Sequence, residues 1–200
     1  MYQALLADAS LPSFLLQIDD DLADKARAGG CLFCGARLHS ARFPRKVRGG
    51  PWNLDDVHDR RHSFCCSREG CRLRLTPPSV RFIDRSIYLS VVVVLAGLLL
   101  QGATAWRVEH LSQRLGVSRR TLGRWRAWWH QRFAQTETWR RLRGRLSGLD
   151  PHETHPKAII DRVEGETISD RVIALMKLLA PMSASLAIRE GRTSPAEVAH

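Results

Sequence analysis

The sequence predicts a mainly α-helical protein: a small four-cysteine zinc ribbon, then a three-helix helix-turn-helix domain, then further C-terminal helices. Three observations point there. Apolar residues recur at three- and four-residue spacing near the start of the chain and through its second half, as on amphipathic helices. Between these regions, residues 31–82 are poor in apolar side chains and broken by Pro44, Gly49, Gly50, Pro51, Pro77 and Pro78. All five cysteines of the 200-residue chain fall inside that broken stretch, where a core too small to hold itself needs a staple.

Composition narrows the partner class. The chain is 44% hydrophobic, enough for a real core, and carries a net charge of +11 with a pI near 10.5. Most of the excess is arginine, whose planar fork suits phosphate and guanine, so a polyanion and above all nucleic acid is the expected partner. Anionic lipid is the competitor, because residues 87–100 form an apolar run; at about fourteen residues it falls short of the roughly twenty that span a bilayer. The opening MYQALLADASLPSF has no basic region ahead of an apolar stretch and no cleavage-like site, so no secretory signal is expected. A bacterial cytoplasmic, nucleoid-associated location is expected, and in that reducing compartment five cysteines favour metal or free thiols over disulfides.

The chain divides at composition changes into 1–29 (N-terminal helical segment), 30–83 (zinc ribbon), 84–147 (helix-turn-helix domain) and 148–200 (linker, amphipathic helix and tail). Residues 11–28 place Phe14, Leu15, Ile18, Leu22 and Ala26 at helical spacing around an acidic middle, and Gly29–Gly30 ends the helix. Cys31-Leu-Phe-Cys34-Gly35 is a knuckle in which two thiolates converge on one metal while the glycine lets the backbone turn beneath it. The second pair comes from Phe64-Cys65-Cys66-Ser-Arg-Glu-Gly-Cys71. In a strand, alternate side chains share a face, so Cys66 points inward with Phe64 and Cys65 outward. The expected Zn2+ ligands are therefore Cys31, Cys34, Cys66 and Cys71; Cys65 is the spare, and His39, His58 and His62 are the possible substitutes. Four thiolates leave no open coordination position, so the metal is structural. Thioredoxin-like redox chemistry lacks its βαβ setting. Between the clusters, residues 39–53 form a Pro/Gly-rich loop with Arg42, Arg45, Lys46 and Arg48, which can track phosphates; Trp52 either stacks on a base or tucks into the core.

Residues 84–101 read as a helix apolar nearly all round, hence buried on more than one side. Thr104 then offers a cap for the next helix. Val108, Leu111 and Leu115 before Gly116, and Leu122, Trp125, Trp129 and Phe133 after it, describe two amphipathic helices meeting at a glycine turn. Val117 extends the apolar set into the turn, Ser118 caps the second helix, and Ser112 keeps the first slim at the crossing. At about 100° per residue, Arg120, Gly123, Arg124, Ala127 and Gln131 share the face opposite the apolar one. Arginine can bond a guanine edge in bidentate fashion while Gly and Ala allow close approach, so this face has the chemistry of a major-groove reader. The expected assignments are Arg120, Arg124 and Gln131 to bases, and Arg119 and Arg126 to phosphate, with Ser118, Gly123 and Ala127 at the contact. The next helix adds Arg140, Arg141, Arg143 and Arg145, which position without reading sequence. Residues 149–165 read as a linker. Residues 168–182 form an amphipathic helix that packs on the domain or on another chain, such as a transposase, and 189–200 are a loose tail. The sequence leaves the oligomeric state open.

Cys31-Leu-Phe-Cys34-Gly35, Cys66 to Cys71 followed by Arg-Leu-Arg-Leu-Thr-Pro, and the 108–133 motif together resemble the N-terminal DNA-binding parts of bacterial insertion-sequence transposases and their small accessory proteins. The likeness covers roughly 30–133, with a second cysteine spacing wider than the usual one. It implies a protein that binds double-stranded DNA as an accessory factor or regulator of transposition or transcription. Such transposases carry a downstream domain with three acidic metal ligands on a sheet. Here Asp150, Asp161 and Asp170 have no alternating strand pattern around them, and His152-Glu-Thr-His155 lacks the spacing of a helical zinc-protease motif. No catalysis is expected. The alternatives are a zinc-ribbon adaptor for another protein and an RNA-binding protein.

Overall fold

The computed structural model describes residues 2–45, 47–83, 89–100, 102–146, 148, 150 and 156–187. Lys46, the first residues of the expected 84–101 helix, the His152–His155 motif and the 189–200 tail lie outside the described residues. A short helix α1 (Tyr2–Leu5) precedes α2 (Leu11–Ala28), which has a proline in its first turn, where the missing N–H costs nothing, and stops at Gly29. Its buried stripe includes Leu11, Leu15, Asp19 and Ala23, rotated from the expected Phe14/Leu15/Ile18/Leu22/Ala26 line, of which Leu15 is fully buried, Ile18, Leu22 and Ala26 are partly buried and Phe14 is 46% exposed. The rotation has a cause. Leu11 and Leu15 join one apolar core and Ala23 another, so the helix lies across both.

The smaller core belongs to an antiparallel sheet of β1 (Leu38–Ser40), β4 (Phe64–Cys66), β5 (Arg74–Thr76) and β6 (Ser185–Ala187), in the order β1-β4-β5-β6. A separate ribbon pairs β2 (Phe43–Pro44) with β3 (Arg60–Arg61). Period-2 alternation turns Leu38, Phe64, Cys66, Leu73 and Leu75 inward. β6 comes from far along the chain, with Leu75 opposite Leu186.

The larger core is built on α3 (Ser90–Leu100), of which every residue but Leu99 is buried. It packs against α1 and four later helices: α4 (Ala105–Leu115), α5 (Arg119–Ala127), α7 (Pro156–Ile160) and α8 (Ile168–Leu179). Gly97 is the close-approach point: a Cβ there would lie 2.8 Å from Pro156 Cγ and 2.9 Å from Trp129 Nε1. Residues 149–165 are therefore more than a linker, since Pro156, Ala158, Ile159 and Ile160 are buried against α3. The apolar face of α8 (Val172, Leu175, Met176, Leu179) is buried in the same core.

Local signals set α4 and α5. The Thr104 hydroxyl accepts the Arg107 N–H, Gly116 adopts φ 60° and turns the chain, and the Ser118 hydroxyl accepts the Thr121 N–H. The Ser112 hydroxyl donates to the Val117 carbonyl at 2.6 Å, fixing the turn to the helix before it. After Ala127 the helix opens into a π turn, Trp128–Arg132, in which Phe133 N–H reaches the Trp128 carbonyl. Four-residue steps from Trp125 to Trp129 to Phe133 overshoot an α turn, and the wider turn absorbs the excess so that all three are buried. A short 3-10 turn (Phe133–Gln135) leads to α6 (Glu137–Arg145), capped by Thr136, whose Trp139 packs on Phe133.

Asp19 and Arg81 join the two halves as a buried ion pair, 2.8 Å apart, with side chains 2% and 1% exposed. Asp19 also accepts from the Ser79 hydroxyl and, at 2.7 Å, from the Val80 N–H. Arg81 donates onward to the carbonyls of His58 and Arg60. Both charges are thus paired and hydrogen-bonded, the condition under which burial is tolerated. Among the described residues, no helix is long and apolar enough to cross a membrane.

Candidate metal centre and basic helical face

The sulfur atoms of Cys31, Cys34, Cys66 and Cys71 lie within 4.8 Å of one another, a group that can hold a metal ion. Cys31 and Cys71 are 3.7 Å apart and Cys34 and Cys66 3.5 Å, too far for disulfides, and all five cysteines are free. Strand alternation sorts the adjacent pair: Cys66 is buried at the cluster while the Cys65 thiol points away, toward the Cys66 and Arg72 carbonyls. None of the three histidines joins the group. His39 is exposed, His58 bonds Asp55 and His62 bonds Asp20, each at 2.6 Å.

Two turns of one design present the sulfurs, and comparing them explains the wide second spacing. In the first, the Gly35 N–H donates to the Cys31 carbonyl and Gly35 adopts φ 69°. In the second, the Arg72 N–H donates to the Arg68 carbonyl and Arg72 adopts φ 48°. Cys71 therefore matches Cys34, Arg72 matches Gly35, and Arg68 stands where Cys31 would be. The missing sulfur comes from Cys66, two residues upstream on β4. Arg72 alone among non-glycine described residues has positive φ, a conformation costing an L-residue roughly 1–2 kcal/mol.

The thiols are unequal. An Ala36 backbone N–H lowers Cys34 to about 7, whereas burial pushes Cys66 up to about 12 and also raises Cys71. Without a cation these buried sulfurs resist ionising together; a metal ion that displaces their protons removes the penalty.

The face expected to contact DNA is mostly open. Ser118, Arg119, Arg120, Gly123, Arg124, Arg126 and Gln131 are exposed, and Ala127 is half-buried. A Cβ at Gly123 would meet nothing within 4 Å, so the surface there is flat and clear. Arg124 donates to the Thr121 hydroxyl at 3.0 Å, and Arg119 pairs with Glu109 of α4 at 3.3 Å. The π turn matters for Gln131: one extra residue in a turn rotates the residues beyond it by about 100° relative to a regular helix. Arg120, Gly123, Arg124 and Ala127 share the α-helical face, while Gln131 lies within the π turn itself, outside the register of that helix. On α6, Arg140, Arg141, Arg143 and Arg145 are all exposed, the first two paired with Glu137.

Other residues fall away from the centre. Trp52 is tucked in, its indole N–H donating to the Asp8 carbonyl at 2.8 Å and its ring packed on the helical core. Asp161 pairs with Lys157, and Asp170 caps α8 through Thr167. Sequence reasoning missed the exposed Trp106, stacked on His110 on α4. It also missed Asp19, although the i, i+4 line through Leu15 and Ala23 runs through it. No family model, curated protein or solved structure matches this chain.

Proposed function

We propose that the protein binds double-stranded DNA, with α4 and α5 acting as a helix-turn-helix and the four cysteines holding one structural Zn2+. The observation that carries the DNA reading is the outward face of α5, where Arg120 and Arg124 flank a clear Gly123 on a well-capped helix backed by buried aromatics. Bidentate arginines over a flat approach are the chemistry of base reading in the major groove. Arg119, Arg126 and the arginines of α6 supply phosphate contacts around it. For the metal, Zn–S bonds of about 2.3 Å at tetrahedral angles put sulfurs about 3.8 Å apart, close to the 3.5 and 3.7 Å pairs. With four thiolates filling the sphere, zinc would fold the sheet and do no chemistry. In this reading the protein resembles transposition accessory factors: it places another protein on DNA, as regulator or accessory of a mobile element, without catalysing a reaction itself.

Arg124→Ala is expected to weaken binding to a preferred duplex by about 1–3 kcal/mol while sparing non-specific duplexes. The duplex would come from selection on a random pool, and equal loss on every duplex rejects base reading by Arg124. Elemental analysis is expected to find about one zinc per chain.

A second reading, as a protein adaptor, draws on an open groove of about 800 Å³ lined by Leu142 and Leu146 near α6 and by Ala174, Lys177 and Leu178 of α8. A purified protein without duplex affinity at low salt would favour it.

A further inference from the structure

The sheet has an inner face that carries the cysteine cluster and an outer face that neither the metal nor α5 uses. Strand register fixes what the outer face presents. His39, Cys65 and Arg74 lie opposite one another across β1, β4 and β5, forming one row. Just beyond the strands, the Ser67 N–H bonds the Arg37 carbonyl and the Cys66 N–H the Leu73 carbonyl, so Arg37 and Ser67 extend the face by a further row, and the exposed Arg72 leaves the turn beside it, at the entry to β5. Arg37, Arg72 and Arg74 are exposed, whereas Leu38, Cys66 and Leu73, which alternate with them, are buried. The middle column is low, holding only Cys65 and Ser67. Arginines stand on both sides of it, two strand spacings or about 10 Å apart, and successive rows are about 6.6 Å apart along the strands.

Two features bear on what this face does, the first of which, arginines with no acidic partner among the described residues, it shares with exposed arginines such as Arg68, Arg107, Arg120 and Arg126. Several exposed arginines elsewhere have acidic neighbours: Arg27 with Asp24, Arg119 with Glu109, Arg140 and Arg141 with Glu137. Arg37, Arg72 and Arg74 have no ion pair among the described residues, and Glu69, the acid on the adjoining turn, pairs with none of them. Second, Arg72 occupies the position that Gly35 fills in the companion turn, at φ 48°, where glycine would relieve the strain. A long cation held at a glycine position is strain that packing does not call for, because its side chain is exposed.

We propose that the outer face of the sheet is a second DNA contact, in which Arg37, Arg72 and Arg74 grip phosphodiester oxygens along the Cys65–Ser67 trough without reading sequence. Guanidinium forks match phosphate oxygens in bidentate fashion. The row spacing is close to the step between successive phosphates on one strand, and the trough has no raised side chain to block a backbone. The proposal rests on the DNA-binding reading but assigns a surface remote in sequence from α5.

The test is the salt dependence of duplex binding by the full, metal-loaded chain. Each phosphate contact contributes about 0.9 to the slope of log K against log salt. The triple variant Arg37→Ala, Arg72→Gly, Arg74→Ala is expected to flatten that slope by about 2–3 and to weaken selected and scrambled duplexes by equal factors, leaving the preference between them intact. The triple lysine variant is expected to keep most of the slope. Metal content and a melting curve report on folding. Should the triple variant lose its metal, Arg37→Ala and Arg74→Ala carry the measurement singly, each lowering the slope by about 1. A wild-type protein that prefers one duplex, beside a folded triple variant with an unchanged slope, overturns the sheet contact and leaves the α5 reading standing. A wild-type protein without duplex affinity overturns both.

Discussion

The two halves of the molecule solve the same problem with different chemistry. The helical half buries a continuous apolar core around α3, including Trp129, Phe133, Leu95 and Ile159. The sheet half has a core of eight buried residues, three of them cysteines, and strands of two or three residues. Strands so short hold few ladder hydrogen bonds, and a core so small falls short of the conformational entropy it must offset. On the proposed zinc reading the difference assigns the four sulfurs a role: holding one metal, they would stand in for the hydrophobic surface that the sheet lacks.

The largest test of that contrast is removal of the proposed zinc. Apparent binding energies of structural zinc sites are on the order of 10 kcal/mol, comparable to the whole stability of a domain. A chelator is therefore expected to unfold the sheet while the helical half persists. All six tryptophans help, because none lies in the sheet: Trp52 packs on the helical core, and the rest are on or beside α4, α5 and α6. Tryptophan emission should stay close to that of the loaded protein while amides around Cys31–Ala36 and Phe64–Leu75 lose exchange protection. Emission that shifts red in step with metal loss would mean that the halves fold as one.

The joint between them should break next. Asp19→Ala leaves the Arg81 guanidinium buried without its partner, and breaking a buried pair in this way costs about 3–5 kcal/mol. Replacing both with apolar residues of similar size, Asp19→Leu with Arg81→Met, is expected to recover most of the loss, since neither charge is then stranded. Denaturant melts of the three proteins measure this. A single Asp19→Ala variant as stable as the parent would show that the pair is not a structural joint.

Range decides how much of this was legible in the sequence. The bounds of α2, the caps Thr104 and Ser118, the αL turn at Gly116 and the choice of Cys66 over Cys65 depend on residues a few positions apart, so pattern suffices. The Asp19–Arg81 pair spans 62 positions and β6 returns to β5 from over a hundred residues away, and no local pattern encodes either partner. Arg72 lies between these cases. The wide cysteine spacing signalled an irregular second turn, but only the backbone hydrogen bond to Arg68 reveals that the turn itself is kept and that one ligand has moved.

The smallest expected effect tests the helical half by overfilling it. Gly97 looks like a flaw in an apolar helix, since glycine there lowers helix propensity by about 1 kcal/mol relative to alanine. If propensity ruled, Gly97→Ala would stabilise. The Cβ, however, would meet Pro156 Cγ at 2.8 Å and the Trp129 ring nitrogen at 2.9 Å, both on buried residues with little room to retreat. Overpacking of this kind costs about 1–3 kcal/mol, which outweighs the propensity gain. A net loss of about 0–2 kcal/mol is expected by the difference of these terms. The loss should appear in the tryptophan-detected melt and leave metal content untouched. A stabilised Gly97→Ala protein would mean that α7 and the π turn can move away from α3, and that the helical core is looser than its burial implies.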